Sequence, residues 1–324
     1  MEATQSLQVP TKKKVKSPLL QQIIKQKYLL AMSIPFVVWC IAFMYLPLFG
    51  WIMAFQNFRI RGRSGVTFLS FFQQEWVGLA NFQELFADAR FYTALRNTLG
   101  MSFLGITIGF VVPIIFALML NEVRGVAFKK VVQTVSYMPH FISWVVAAGM
   151  ITQMLAVNGP INDALMNLGL IESRIPFLAT GNMFWGIITT SEIWKSTGWN
   201  AIIFLAAIVG VDRSLYEAAD VDGAGRFKKI WHITLPSISG VIIVILIMNI
   251  GWLMNVGFER QLLLGSPQIQ QWSEVLDVYI INFGIGSGRF SYGTAIGIFR
   301  SLVSLILLFG ANAFAKKMGR RGVV

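Results

Sequence analysis

Tyr216-Glu217-Ala218-Ala219-Asp220-Val221-Asp222-Gly223-Ala224-Gly225-Arg226-Phe227-Lys228-Lys229-Ile230-Trp231-His232-Ile233-Thr234-Leu235-Pro236 is a polar island between two long apolar runs. Its local signals predict two short helices joined at a sharp corner. Ser214 and Glu217 have capping-box spacing, which predicts a helix starting near Leu215. Asp222-Gly223 is a turn signal that ends it. Phe227, Ile230, Trp231 and Thr234 recur at i, i+3, i+4, i+7, so the second helix has one apolar face. Arg226, Lys228, Lys229 and His232 fall on the other. Pro236 suits the first turn of a following helix, where its missing N–H costs nothing.

The composition around this island is that of a membrane protein. Of 324 residues, 55% are hydrophobic and 13% charged, with a mean hydropathy of +0.63. A soluble domain carries about 25% charged residues. The one cysteine, Cys40, excludes an intrachain disulfide framework, and two histidines, His140 and His232, exclude a multi-histidine metal site. The basic run Lys12-Lys13-Lys14 and Lys16 lies well before the first apolar stretch, which is too long for a signal-peptide core.

In chain order, residues 1–27 read as a basic cytosolic tail, 28–316 as a transmembrane domain and 317–324 as a second cytosolic tail. Apolar spans are expected at about 28–55, 91–120, 131–155, 183–209, 237–257 and 292–313. Each exceeds the ~20 residues that cross a bilayer. The connections 56–90, 158–181 and 258–291 read as outer loops. The fold class is therefore all-α: a polytopic membrane protein of six helices, with a cytosolic two-helix loop, 213–236, between the fourth and fifth. Charge sets the orientation. Placing both termini inside puts seventeen basic residues in inner segments, among them Lys129, Lys130, Arg226, Lys228, Lys229, Lys316 and Lys317. The outer segments hold seven: Arg59, Arg61, Arg63, Arg90, Arg174, Arg260 and Arg289. This is the positive-inside asymmetry. It accounts for the net charge of +12 by topology and anionic lipid, without nucleic acid.

The island resembles the EAA loop of membrane subunits in bacterial binding-protein-dependent ABC importers. The matching residues are Glu217-Ala218-Ala219, Asp222-Gly223-Ala224, Ile233 and Leu235-Pro236. Ile230 and Gly240 depart from that pattern, where Phe and Pro are common. The resemblance runs from about Leu29 to the C-terminus. Val77-Gly78-Leu79-Ala80-Asn81-Phe82 is similar to a motif that precedes the second helix of sugar permeases. Trp194-Lys195, Gly198-Trp199-Asn200, Leu205-Ala206-Ala207 and Val256-Gly257-Phe258-Glu259 resemble the carbohydrate permeases that handle oligosaccharides, and among these the alginate importer permeases most.

The resemblance implies a non-catalytic transport subunit in the inner membrane. Its partners would be a second homologous permease, two ATP-binding cassette ATPases that hold ATP and Mg, and an extracytoplasmic solute-binding protein. It places Glu217, Ala218, Ala219, Asp222, Gly223, Ala224, Phe227, Leu235 and Pro236 against the ATPase, with Glu217 capping and anchoring the coupling helix. The chain itself has no G-x-x-x-x-G-K-[ST] phosphate loop, no H-E-x-x-H, and no nucleophile–base set. No cofactor is expected in it.

Ionisable residues within spans mark function by default. Glu192, Lys195 and Arg300 fall in the fourth and sixth spans, and Arg96 near the outer end of the second. Glu192 and Lys195 are i, i+3 and can pair as a structural bridge. Arg300 has no partner in its own span. Trp144, Ser196, Trp199, Asn200, Asn249, Trp252 and Asn255 share the zone, and aromatic platforms beside amides and hydroxyls suit sugars. Helix packing or lipid contact is the competing account of each tryptophan. Arg96, Glu192, Lys195 and Arg300 carry a net +2 if all are ionised, which points to an anionic saccharide such as a uronate oligomer. The alternatives are a permease for a neutral oligosaccharide, or an ion-coupled secondary transporter, which would need an intramembrane carboxylate relay. A membrane scaffold would not need the two-helix island.

Overall fold

A computed structural model of the chain describes residues 25–59 and 73–319. The basic run at 12–16, the outer arginines Arg61 and Arg63, and the terminal Arg320 and Arg321 lie outside the described residues. Two compact units divide the chain, residues 1–52 and 53–324. Within the described residues the fold is helical, with one isolated bridge between Gln56 and Trp76 and no strand ladder.

The first unit is represented by helix α1, Lys27–Phe55, which runs slightly past its end. It is α-helical to Cys40, a π turn over Ile41–Tyr45, and 3-10 from Leu46. The change of pitch falls at Pro47, whose ring and missing N–H disrupt the ordinary ladder. Its side chains are largely exposed, as lipid contact requires.

The second unit is built from α2 (Ala80–Ala87), α3 (Ala89–Glu122), α4 (Val126–Phe141), α5 (Trp144–Met154), α6 (Pro160–Asn167), α7 (Gly181–Val209), α8 (Arg213–Val221), α9 (Arg226–Gly251), α10 (Glu259–Leu264), α11 (Leu276–Ile285) and α12 (Phe290–Lys317). The motif before α2 has a local cause. Gly78 takes φ +58°, and the Asn81 amide donates to the carbonyls of Ala54 (2.9 Å) and Gln56 (3.2 Å). Helices α1, α3, α9 and α12 are long and apolar enough to cross a membrane. The pair α4–α5 meets that test as a broken span. Helix α7 has the length, 29 residues, but carries polar groups along it.

Three expectations are corrected here. The third span is not one helix: α4 and α5 meet at 102°. Pro139 lies in a closing 3-10 turn, Ile142 and Ser143 are extended, and Ser143 Oγ accepts from the N–H of Val146 to restart the helix. The fifth span does not begin afresh at Pro236 and does not reach residue 257. Helix α9 runs unbroken from Arg226 through a π turn at Ile230–Thr234 and ends at Gly251. Pro236 does occupy the first turn of its α-helical part, where the preceding π turn accommodates the lost hydrogen bond.

The third correction concerns 258–291, expected to be a polar loop. It supplies core. Val275, Leu276 and Tyr279 are completely buried. The reason is a clamp from α3. Asn97, itself completely buried, donates to the carbonyls of Gln271 (3.1 Å) and Glu274 (2.8 Å), and the Thr98 hydroxyl accepts from the N–H of Leu276 (2.9 Å). These bonds satisfy backbone that would otherwise be costly to bury.

Four apolar clusters lie among the described residues of the unit, the smallest around Ala54, Ala295 and Ile298, and three join several helices. One joins α2, α3, α11 and α12 through Leu85, Phe91, Tyr279 and Tyr292. A second joins α3, α5, α7 and α10 through Met101, Ala148, Ile188 and Leu264. The third joins α3, α7 and α9 through Ala117, Phe204 and Ile238. Helix α7 shares two of the three clusters. Gly198 lets α4 approach it, since a Cβ there would stand 2.1 Å from the carbonyl oxygen of Ser136.

Candidate functional site: a polar cavity and a helical corner

The corner forms where expected but is capped differently. Helix α8 starts at Arg213, and its N-cap is Asp212, whose carboxylate accepts from the N–H of Ser214 (2.9 Å). The expected capping box of Ser214 and Glu217 is not formed, because both lie inside the helix. Glu217 is exposed and caps no helix end among the described residues. Accepting the Ser214 N–H holds the Asp212 carboxyl below its usual value of 3.8.

The far end of α8 is a Schellman motif. Gly223, at φ +70°, donates to the carbonyl of Asp220 (3.1 Å), and Ala224 donates to that of Ala219 (2.8 Å). The corner is tied down by Lys229 to Asp220, by the Tyr216 and Thr234 hydroxyls (2.8 Å), and by Arg226 to Glu122 at the end of α3 (3.7 Å). The expected apolar face divides. Thr234 is buried and Ile230 packs on the third cluster, whereas Phe227 is 89% and Trp231 70% exposed. Val221, across the corner, is exposed too.

The cavity has a volume of about 290 Å³ and lies among α3, α7, α9 and the segment from α9 to α10. It opens beside the π turn of α3, Gly105–Gly109, and both of those glycines line it. Of the residues expected to form the pathway, Glu192, Ser196, Asn200, Asn249, Trp252 and Asn255 line this cavity. Trp144, Lys195, Trp199 and Arg300 do not. Thr189, Thr197 and Arg260 line it without having been expected. The Thr197 hydroxyl is buried with no partner among the described residues.

The charges pair differently from the expectation. Glu192 does not bridge Lys195; its carboxylate takes Arg260 on one oxygen and the Ser196 hydroxyl (2.7 Å) on the other. Lys195 is buried and donates to the carbonyl of His140 (2.7 Å), at the end of α4, with its ammonium 5.6 Å from the Trp144 ring centre. The negative end of a helix suits that charge. Trp199 stacks on His140 with centroids 4.5 Å apart. Arg300 pairs with Asp277, which also accepts from the N–H of Gly257 (3.0 Å). Arg96 donates to the Gln271 carbonyl (2.7 Å) and lies over Trp272. The +2 counted along the spans is thus dispersed, and the cavity wall itself carries one carboxylate and one guanidinium among the described residues. Arg260, expected in an outer connection, reaches the cavity wall by pairing with a residue 68 positions away in sequence.

Comparison with known proteins places this arrangement. Residues 105–320 match the family described as "Binding-protein-dependent transport system inner membrane component". The Bacillus subtilis polygalacturonan/rhamnogalacturonan transport system permease protein YteP is 42% identical over 96% of this chain and 95% of its own length. Protein LplB of the same organism is 40% identical over 92% of each. A solved bacterial ABC transporter involved in import of the acidic polysaccharide alginate contains a chain that is 36% identical, with a TM-score of 0.84, covering 94% of this chain and all of that one. With its helical corner at 213–234 and its polar cavity between long apolar helices, the chain belongs to the inner membrane components of binding-protein-dependent transport systems, as a carbohydrate permease.

Proposed function

We propose that this permease forms half of an ATP-driven pathway for acidic, uronate-containing oligosaccharides. The observation that carries the substrate class is the 42% identity, over 96% of the chain, to a polygalacturonan/rhamnogalacturonan permease. The likeness to the alginate importer supports it from a second acidic polysaccharide. A second homologous permease completes the pathway. A solute-binding protein delivers the sugar, as the alginate importer's complex with a pentasaccharide-bound periplasmic protein illustrates. Two ATPase subunits hydrolyse ATP with Mg, and this chain performs no catalysis. Both termini lie in the cytosol in this reading, which the asymmetry of lysine and arginine between alternate connections supports.

The corner around Glu217–Ala224 and Phe227 docks on an ATPase, with bare Phe227, Trp231 and Val221 as its apolar contact. Helix α9 passes ATPase closure to the cavity because it runs from that corner to Asn249 without a break. Ser196, Asn200, Asn249 and Asn255 offer hydroxyl and amide partners to sugar hydroxyls, and Trp252 an apolar face.

The test is uptake by the complete transporter in proteoliposomes. A galacturonate oligosaccharide should accumulate only with ATP inside and binding protein outside. Uptake driven by an ion gradient without ATP, or no uptake of any acidic oligosaccharide, would overturn the reading.

A further inference from the structure

We propose that Arg260 reads the carboxylate of the transported saccharide, and that Glu192 is the internal carboxylate with which the saccharide exchanges. This rests on the acidic-oligosaccharide reading above.

Among the described residues lining the cavity, only Glu192 and Arg260 are charged. Of these two, only the guanidinium can neutralise a sugar carboxylate entering there. The two partners differ in how firmly they are held. The Arg260 side chain is 15% exposed, its Nη2 donates to the Val256 carbonyl (2.8 Å), and its Cζ lies 5.8 Å from the Trp144 ring centre. It is fixed on two sides. The Glu192 side chain is 39% exposed and keeps a second partner, the Ser196 hydroxyl (2.7 Å), one turn along its own helix. The more exposed Glu192 can turn away from Arg260 and keep its bond to Ser196, while the more buried Arg260 stays tied to the Val256 carbonyl.

The donor arithmetic agrees. Nη1 donates to Glu192 and Nη2 to Val256, so each terminal nitrogen keeps one N–H unmatched among the described residues. A guanidinium is suited to take a carboxylate through two parallel bonds. Exchange also touches the walls: Glu192 stands on α7, whereas Arg260 stands on α10 behind the segment that carries Trp252 and Asn255. Replacing the Glu192–Arg260 bridge by a sugar carboxylate transfers the tie between those two walls to the substrate.

The experiment is equilibrium binding of a radiolabelled galacturonate trisaccharide, and of its carboxyl-reduced counterpart, to the assembled transporter in nanodiscs. Wild type should prefer the acidic sugar. Arg260→Met should weaken the acidic sugar by about tenfold or more, the worth of one charge-assisted hydrogen bond, and leave the neutral sugar within about twofold. Arg260→Lys should restore part of the preference. Glu192→Gln should tighten acidic binding, because the competing carboxylate is gone. Should Arg260→Met fail to assemble, the Glu192→Gln/Arg260→Met double variant removes both charges and should bind the two sugars alike. Equal weakening of both sugars by Arg260→Met, or weaker acidic binding in Glu192→Gln, would overturn the proposal while leaving the substrate class standing. A wild type that does not prefer the acidic sugar would overturn the substrate class, and the proposal with it.

Discussion

Replacing Gly223 by alanine should loosen the helical corner, while the same change two residues later should not. Gly223 sits at φ +70°, and a Cβ there would meet nothing within 4 Å. The penalty is therefore conformational alone, roughly 1–2 kcal/mol for an L-residue held in the left-handed region. That energy falls on the Schellman bonds from Gly223 to Asp220 and from Ala224 to Ala219. It corresponds to about a 5–30-fold larger open fraction. Gly225 is equally free of neighbours but has φ −69°, open to any residue. There the gain of about 0.4–1 kcal/mol from a stiffer unfolded chain offsets the poorer N-cap that alanine makes. The assay is amide hydrogen exchange in the assembled transporter, with amides in the middle of α7 as internal reference. Gly223→Ala should speed exchange at residues 222–224 by about 5–30-fold. Gly225→Ala should stay within about twofold of wild type. Gly223→Asn should fall between, since asparagine tolerates this region better. If the two alanine variants exchange alike, the corner is not held by the left-handed residue and the reasoning fails.

Gly198→Ala forces α4 away from α7, because the new Cβ would sit 2.1 Å from the Ser136 carbonyl oxygen; overpacking of this kind costs about 1–3 kcal/mol and should lower the thermal midpoint in detergent, whereas Gly186→Ala, with open space around it, should not. Lys195→Met and Arg300→Met should reduce uptake of acidic and neutral saccharides equally, because these cations serve the His140 carbonyl and Asp277 rather than the cavity; selective loss of the acidic sugar would contradict their placement. Asp212 has its folded pKa depressed below 3.8, so its cap is fully present above that value and lost only as pH falls through the lower one. Exchange at the start of α8 should thus be insensitive to this carboxylate between pH 8 and 5, with Asp212→Asn protecting like wild type and Asp212→Ala not.

The helical, apolar character of the chain and the corner are legible because each is written locally. Apolar runs of bilayer length and the Asp222-Gly223 turn depend on neighbours a few positions apart. What escaped depends on distant partners. The α4–α5 break hangs on Pro139 and a cap at Ser143, both visible, but spans tolerate proline and the break needs α7 close by at Gly198. The buried stretch around Val275–Tyr279 looked like loop because its backbone is satisfied by Asn97 and Thr98 of α3. Helical spacing pairs Glu192 with Lys195, whereas folding brings Arg260 to it from another element. The N-cap is legible in the sequence, since Asp212 is as good a capping residue as Ser214, but the downstream Glu217 gives Ser214 the capping-box spacing.

The coupling assignment is tested most directly by photocrosslinking from position 227. Phe227 is 89% exposed at the corner, so a benzophenone analogue of phenylalanine placed there disturbs no packing. In the assembled transporter, ultraviolet light should join this position to an ATPase subunit, with a yield that changes when ATP binds. Adducts only with lipid or with the solute-binding protein, in a transporter that still hydrolyses ATP and imports sugar, would contradict the account.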